Sequence, residues 1–138
     1  MTDFIISNIS KIRPRYSETD QMGVVYYGNY ATYFEIGRVE LLRSLEMSYA
    51  DMEKTGTMLQ VVHMTIDFKK GATYDQEVYL ETSITELPTR KISFYHTLRD
   101  KEGKTLVTGN VLLVFVDTQT FKPIYCSDEL RTLLLKAS

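Results

Sequence analysis

The spacing of apolar residues changes period along this chain, and that change limits the folds open to it. From Asn29, the residues Tyr30, Phe34, Gly37, Leu41 and Leu45 recur three or four apart, which marks one face of a helix. Arg38, Glu40, Arg43 and Glu46 fall mostly off that line. The pattern predicts a helix over 29–46, with Asn29 as N-cap because its side chain can accept a free N–H of the first turn. Such a helix is about 25 Å long at a rise of about 1.5 Å per residue. Ser48 to Lys54 predicts a further turn or two, capped by Ser48 and stopped by Gly56.

Beyond Gly56 the period is two. Val62, Met64, Ile66 and Phe68 share one strand face, with His63, Thr65 and Asp67 on the other. Val78, Leu80, Thr82 and Ile84 give a second strand, and Ile92, Phe94, His96 and Leu98 a third. Asp100 to Lys104 is a hairpin connection in which Gly103 can take a positive φ. Leu106 to Asp117 is a longer strand, and its unbroken apolar run Val111–Val116 suggests that both faces are covered. Phe4 to Tyr16 supplies a strand before the long helix, and Ser127 caps a closing helix to Lys136. The expected order is strand, long helix, four strands, with short connections making the last four antiparallel neighbours. One helix can cover one face of a five-stranded antiparallel sheet. The open edge left by that arrangement tends to be paired, often in a symmetric dimer.

Composition narrows the class. The 138 residues predict one domain over 1–138, and 43% apolar with 25% charged residues argues against disorder. A chain of this size buries about two thirds of its unfolded surface. A net charge of −2 gives no basic surface for nucleic acid. One cysteine, Cys126, excludes an internal disulfide, and two histidines, His63 and His96, argue against a histidine-rich metal site. Neither a metal nor a cofactor is expected. No apolar run approaches a membrane span. Met1 to Asn8 lacks the basic and apolar regions of a secretory leader, so the expected location is cytoplasmic.

Five of the ten tyrosines (Tyr16, Tyr26, Tyr27, Tyr30 and Tyr33) fall in one stretch with Asp20, Gly23, Gly28 and Asn29. Glycines there allow close backbone approach, and a helix N-terminus favours negative charge. The plainer alternative is an ordinary turn at Asp20 and Gly23 with packed tyrosines.

The run Arg15-Tyr16-Ser17-Glu18-Thr19-Asp20-Gln21-Met22-Gly23-Val24-Val25-Tyr26-Tyr27-Gly28-Asn29-Tyr30, followed by Phe34-Glu35 and Gly37-Arg38, resembles the signature of the hotdog-fold acyl-CoA thioesterases. The resemblance is to the branch that holds 4-hydroxybenzoyl-CoA thioesterase and the bacterial acyl-CoA thioesterases of the Tol–Pal cluster. It spans nearly the whole chain and is strongest over 15–43. It implies an α+β hotdog fold, a five-stranded antiparallel sheet wrapped around one long central helix. It also implies homodimers joined at the strand after that helix, here about Leu59–Lys69, and often tetramers.

The same resemblance implies hydrolysis of an acyl-CoA, with Asp20 as nucleophile or general base. It gives the backbone N–H of Tyr27 the task of polarising the thioester carbonyl. Gly23, Val24, Tyr26, Gly28, Asn29 and Tyr30 become substrate-binding residues. Thr89-Arg90-Lys91 matches the basic segment that contacts the CoA phosphates, beside the plainer reading of a solvated turn. The chemistry is undemanding, since a thiolate with a pKa near about 8.5 leaves without a strong acid.

The chain departs from the family at Tyr27, often His in the Tol–Pal branch, and at Gly71 and Asp75-Gln76, where Pro and a Gly-Asp pair are common. Without a His-Gly-Gly loop, Glu35 and Glu40 are not given the catalytic role such a carboxylate has in a second branch. Glu35 and Arg38, three apart, suit an ion pair. His63 and His96 are read as structural, and Cys126 is given no role. Two further readings stay open: a non-catalytic acyl- or CoA-binding module, and a thioesterase for acyl-carrier-protein substrates. A small α+β domain that only dimerises is the blandest.

Overall fold

The computed structural model describes residues 4–138; Met1 to Asp3, part of the stretch read for a leader, lie outside the described residues. The elements are β1 (Ile6–Ile12), a 3-10 turn (Tyr16–Glu18), α1 (Asn29–Ser44), α2 (Tyr49–Lys54), β2 (Thr57–Phe68), β3 (Val78–Ile84), β4 (Lys91–Asp100), β5 (Thr105–Asp117) and α3 (Asp128–Ala137). The five strands form one sheet in the order β1-β3-β4-β5-β2, with every neighbouring pair antiparallel. This is the expected α+β arrangement, a sheet with one long helix against it.

β3 and β4 follow the sequence pattern closely. Val78, Leu80 and Ile84 are fully buried with Thr82 between them, and Ile92, Phe94, His96 and Leu98 bury the same face of β4. The Asp100–Lys104 hairpin closes as expected, with Gly103 at φ +87° and the Asp100 carboxylate accepting from the Glu102 and Lys104 amides. Ser48 and Ser127 both cap their helices, accepting from the Asp51 and Leu130 amides.

α1 lies on the sheet through Tyr30, Phe34, Gly37 and Leu41, all buried. Two glycines let it come close. A Cβ on Gly37 would meet Thr82 Oγ1 at 2.2 Å, and one on Gly109 of β5 would meet the Phe34 ring at 2.3 Å. Phe34 stacks on the His96 imidazole at 4.4 Å between centroids.

Several expectations are corrected. β2 and β3 are not neighbours: β2 pairs with β5 at the far edge. The connection between them crosses one end of the sheet instead of turning back. Its backbone is tied along the way, since the Lys69 and Lys70 amides donate to the Leu106 carbonyl and Asp75 donates to Pro14. Asn29 does not cap α1. It is the first helical residue, Gly28 is the cap, and the Asn29 side chain donates to the Glu18 carbonyl. The helix stops at Ser44 because Glu46 takes φ +62°, which turns the chain so that Met47 is buried.

Arg38 is not on the outer face. It is 4% exposed, and its Nε and Nη1 atoms have no partner among the described residues. Glu35 forms no ion pair with it; the Tyr49 hydroxyl of α2 lies near it instead, close enough for the guanidinium charge to oppose the rise that burial causes in the phenol pKa. The Val111–Val116 run is fully buried on one face only, with Leu112 and Val114 half-covered.

As an edge strand, β2 leaves Val62 and Phe68 half exposed, at 50% and 54%, while Met64 and Ile66 are partly buried. A register shift between Val61 and His63 leaves Val62 without a partner on β5.

Candidate active site

The loop between β1 and α1 is built from turns tied to fixed neighbours. The Asp20 carboxylate accepts the Met22 amide at 2.9 Å, and the Gly23 amide donates to the Asp20 carbonyl at 3.0 Å. Gly23 closes this turn at φ +81°, a conformation that favours glycine. The Asp20 amide then donates to Val24, so the chain doubles back, and Thr19 bridges Val25.

The far side of the loop is pinned to the β2–β3 connection. Val25, buried, donates to the Ala72 carbonyl at 2.8 Å, and the Ala72 amide donates to the Tyr30 hydroxyl at 3.1 Å. Burial pushes the Tyr30 phenol up; the Ala72 hydrogen bond opposes this, and the nearby Asp20 charge adds to it. Asp20 therefore faces the same corner of the fold as the first turn of α1.

The sequence-predicted residues divide into two groups. Asp20, Gly23, Val24, Tyr26, Tyr27, Gly28, Asn29 and Tyr30 lie together on this loop and helix start. Among the described residues, only Met22 donates to the Asp20 carboxylate, and the Tyr27 and Gly28 amides donate to no protein acceptor. The Tyr26 and Tyr27 rings, both exposed, lie 4.6 Å apart. Asp20 is exposed in the single chain.

Arg90 and Lys91 sit elsewhere. They line a cleft of about 330 Å³ with Val114, Pro123, Ile124 and Tyr125, and the Arg90 guanidinium stands 5.0 Å from the centre of the Tyr125 ring. Lys91 pairs with Val114 near the end of β5, whereas the β2–β3 connection under the Asp20 loop bonds to Leu106 at its start. Those two levels of β5 are about 27 Å apart at about 3.4 Å per residue. Within one chain the structure does not bring the basic pair to Asp20.

Sequence reasoning missed Glu18 and Tyr33. Glu18 is buried, and the Tyr33 hydroxyl donates to its Oε1 at 2.8 Å. Burial tends to raise the Glu18 pKa, but hydrogen bonds from the Arg15 amide, Tyr33 and the Arg15 side chain leave it below the usual range. Glu18 also accepts the amide of Arg15, three residues earlier, at 2.8 Å. That is capping-box spacing, hidden because Arg stands where the pattern has Ser or Thr.

His63 is exposed on β2. Cys126 is buried, which pushes its thiol up to about 11. Among the described residues no helix is long and apolar enough to cross a membrane.

Comparison with known proteins gives a consistent picture. The family model described as Thioesterase-like superfamily matches residues 14–134. YneP of Bacillus subtilis is 35% identical over 114 residues, covering 83% of each chain. The acyl-CoA thioester hydrolase YbgC of Escherichia coli is 30% identical over 112 residues, covering 81% of this chain and 84% of that one. Among solved structures, a DHNA-CoA thioesterase from Staphylococcus aureus superposes with a TM-score of 0.88 at 33% identity, covering 94% of this chain and 89% of that one.

Proposed function

The chain belongs to the thioesterase-like superfamily, and from that premise we propose that it is a single-domain acyl-CoA thioesterase in which Asp20 and the Tyr27 amide do the chemistry. Hydrolysis joins a water oxygen to the acyl carbon, breaks the carbon–sulfur bond and returns a proton to the departing CoA thiolate. Asp20 serves this in one of two ways. As general base it takes a proton from the attacking water. As nucleophile it attacks the carbonyl and forms an anhydride that water then opens. In both, negative charge builds on the carbonyl oxygen, and a fixed N–H donor at that point lowers the barrier.

The observation that carries this reading is that one short loop holds two groups with hydrogen-bonding capacity not spent on the protein. Asp20 has carboxylate capacity left over after Met22, and among the described residues the Tyr27 amide has no acceptor. The start of α1 adds its positive end to that amide. Gly23, Val24, Tyr26, Gly28, Asn29 and Tyr30 would then line the acyl group and thioester.

A second copy of the chain completes this site. β2 pairs on one side only, and its other edge carries the half-exposed Val61, Val62 and Phe68. Two such edges meeting about a two-fold axis run antiparallel. The Thr57 end of the partner's β2 then lies beside the Phe68 end of this one. That reversal carries the partner's Arg90–Lys91 end of the sheet toward Asp20, where the CoA phosphates need cations.

The test is free-thiol release from a panel of aliphatic and aromatic acyl-CoAs, with Asp20→Asn beside the parent. The expected loss in kcat is at least about 100-fold, typical of a positioned base, with the fold retained. Near-normal hydrolysis by folded Asp20→Asn would remove the assignment.

A further inference from the structure

We infer that Glu18 and Tyr33 are positioning residues that hold the Asp20 carboxylate and the Tyr27 amide at a fixed separation. The inference rests on the catalytic reading of Asp20 above.

Both halves of the reacting pair hang from Glu18. Its carbonyl accepts the Tyr26 amide at 2.8 Å and the Asn29 side-chain amide at 2.9 Å. Those two donors flank Tyr27 and Gly28, so one oxygen fixes the chain on both sides of the polarising N–H. Asp20 follows Glu18 by two residues and turns back through its own bond to Val24. If Glu18 shifts, the carboxylate and the amide move by different amounts.

What holds Glu18 is its side chain. Oε1 accepts the Arg15 amide and the Tyr33 hydroxyl, each at 2.8 Å, and Oε2 accepts Arg15 Nε at 3.2 Å and Nη2 at 3.0 Å. The Arg15 side chain is 76% exposed, so its ionic contact holds little. Tyr33 is different. It is 1% exposed on the second turn of α1, packed edge-on against Tyr30 at 5.9 Å. The Tyr33–Glu18 bond therefore ties the loop to the buried face of α1.

A carboxylate that only closed a turn would not need to be buried or to take a donor from the helix core. Misplacement of reacting groups by about 1 Å costs on the order of 100-fold in rate, which is the scale on which such a lock matters.

The experiment uses Tyr33→Phe and Glu18→Gln, each alone and combined with Asp20→Asn. Two quantities are read: steady-state kinetics on the best acyl-CoA, and hydrogen exchange at the Tyr26 amide. Positioning predicts a fall in kcat of about 10–100-fold with KM changed less than about threefold. It also predicts that either change costs less in the Asp20→Asn background than alone, and that the Tyr26 amide exchanges at least about tenfold faster.

Unchanged kcat with a protected Tyr26 amide overturns the inference. So does an equal loss with and without Asp20, which would mark a purely structural residue. If Asp20→Asn itself stays active, the catalytic reading fails separately, and the Tyr26 exchange still decides whether Glu18 and Tyr33 hold the loop. Should Tyr33→Phe fail to fold, Glu18→Gln carries the test, since it keeps an oxygen for Tyr33.

Discussion

Acidification should weaken this fold through one imidazole in its core. His96 is 1% exposed, stacked on Phe34, with Nδ1 3.0 Å from Thr82 Oγ1 and Nε2 without a partner. Burial first, and the Arg38 charge second, push its pKa down to about 3 from an ordinary 6.5. The folded state thus keeps His96 neutral while the unfolded chain binds a proton below pH 6.5. Its contribution to stability is complete above pH 6.5 and is lost progressively as the pH falls toward about 3. At pH 5, about 1.5 units below the unfolded pKa, the loss is about 2 kcal/mol at about 1.4 kcal/mol per unit. The assay is urea unfolding at pH 7.5 and pH 5, for the parent and for His96→Gln. Gln can still meet the Thr82 hydroxyl but does not titrate. The variant should be less stable at both pH values, yet its loss between them should be about 2 kcal/mol smaller than the parent's. Equal losses would mean that His96 is hydrated or paired in solution and that its burial is not what sets its protonation.

Two further outcomes follow from the packing and the sheet. Gly109→Ala puts a methyl 2.3 Å from the Phe34 ring and 2.8 Å from the Thr65 carbonyl of β2, and should cost about 1–3 kcal/mol by thermal unfolding. An unchanged melting temperature would show that α1 can lift off the sheet freely. Mixing Asp20→Asn with an Arg90→Ala/Lys91→Ala double variant tests the shared site. If Asp20 of one protomer works with the basic pair of its partner, random pairing restores one sound site in half the dimers, about a quarter of parental activity. No recovery above the separate variants would show that Asp20 and the partner's basic pair do not share a site.

The strands were legible because alternation needs only a buried face, and β3 and β4 have one: Val78, Leu80, Ile84, Ile92, Phe94 and Leu98 are all essentially inaccessible. β2 was legible as a strand but not in its place. Its neighbour is chosen by a connection whose backbone bonds to Leu106 and Pro14, and nothing in the period of the flanking residues reports those ties. Arg38 was misread for a related reason. Charge normally marks the solvent side of a helix, but α2 folds back so that Tyr49 comes near this position, a tertiary event invisible to a helical wheel.

The candidate site shows the same division at finer grain. Asp20 and Gly23 stood out because a carboxylate and a positive-φ glycine carry recognisable local chemistry, and likeness to a family suggested the role proposed for Asp20. Glu18, two residues away, drew no notice, although it is the carboxylate that the fold buries. Its partners come from both directions: the amide of Arg15 three residues back and the phenol of Tyr33 fifteen residues on. A tyrosine on the apolar stripe of a helix reads as core, and Tyr33 is core; only its hydroxyl is at work. On the proposed reading, the group that reacts keeps lone pairs free and so stays accessible, whereas a group that positions spends its lone pairs on fixed donors and so is buried. Exposure therefore separates the two carboxylates where residue type cannot, and that criterion becomes available only once the chain is folded.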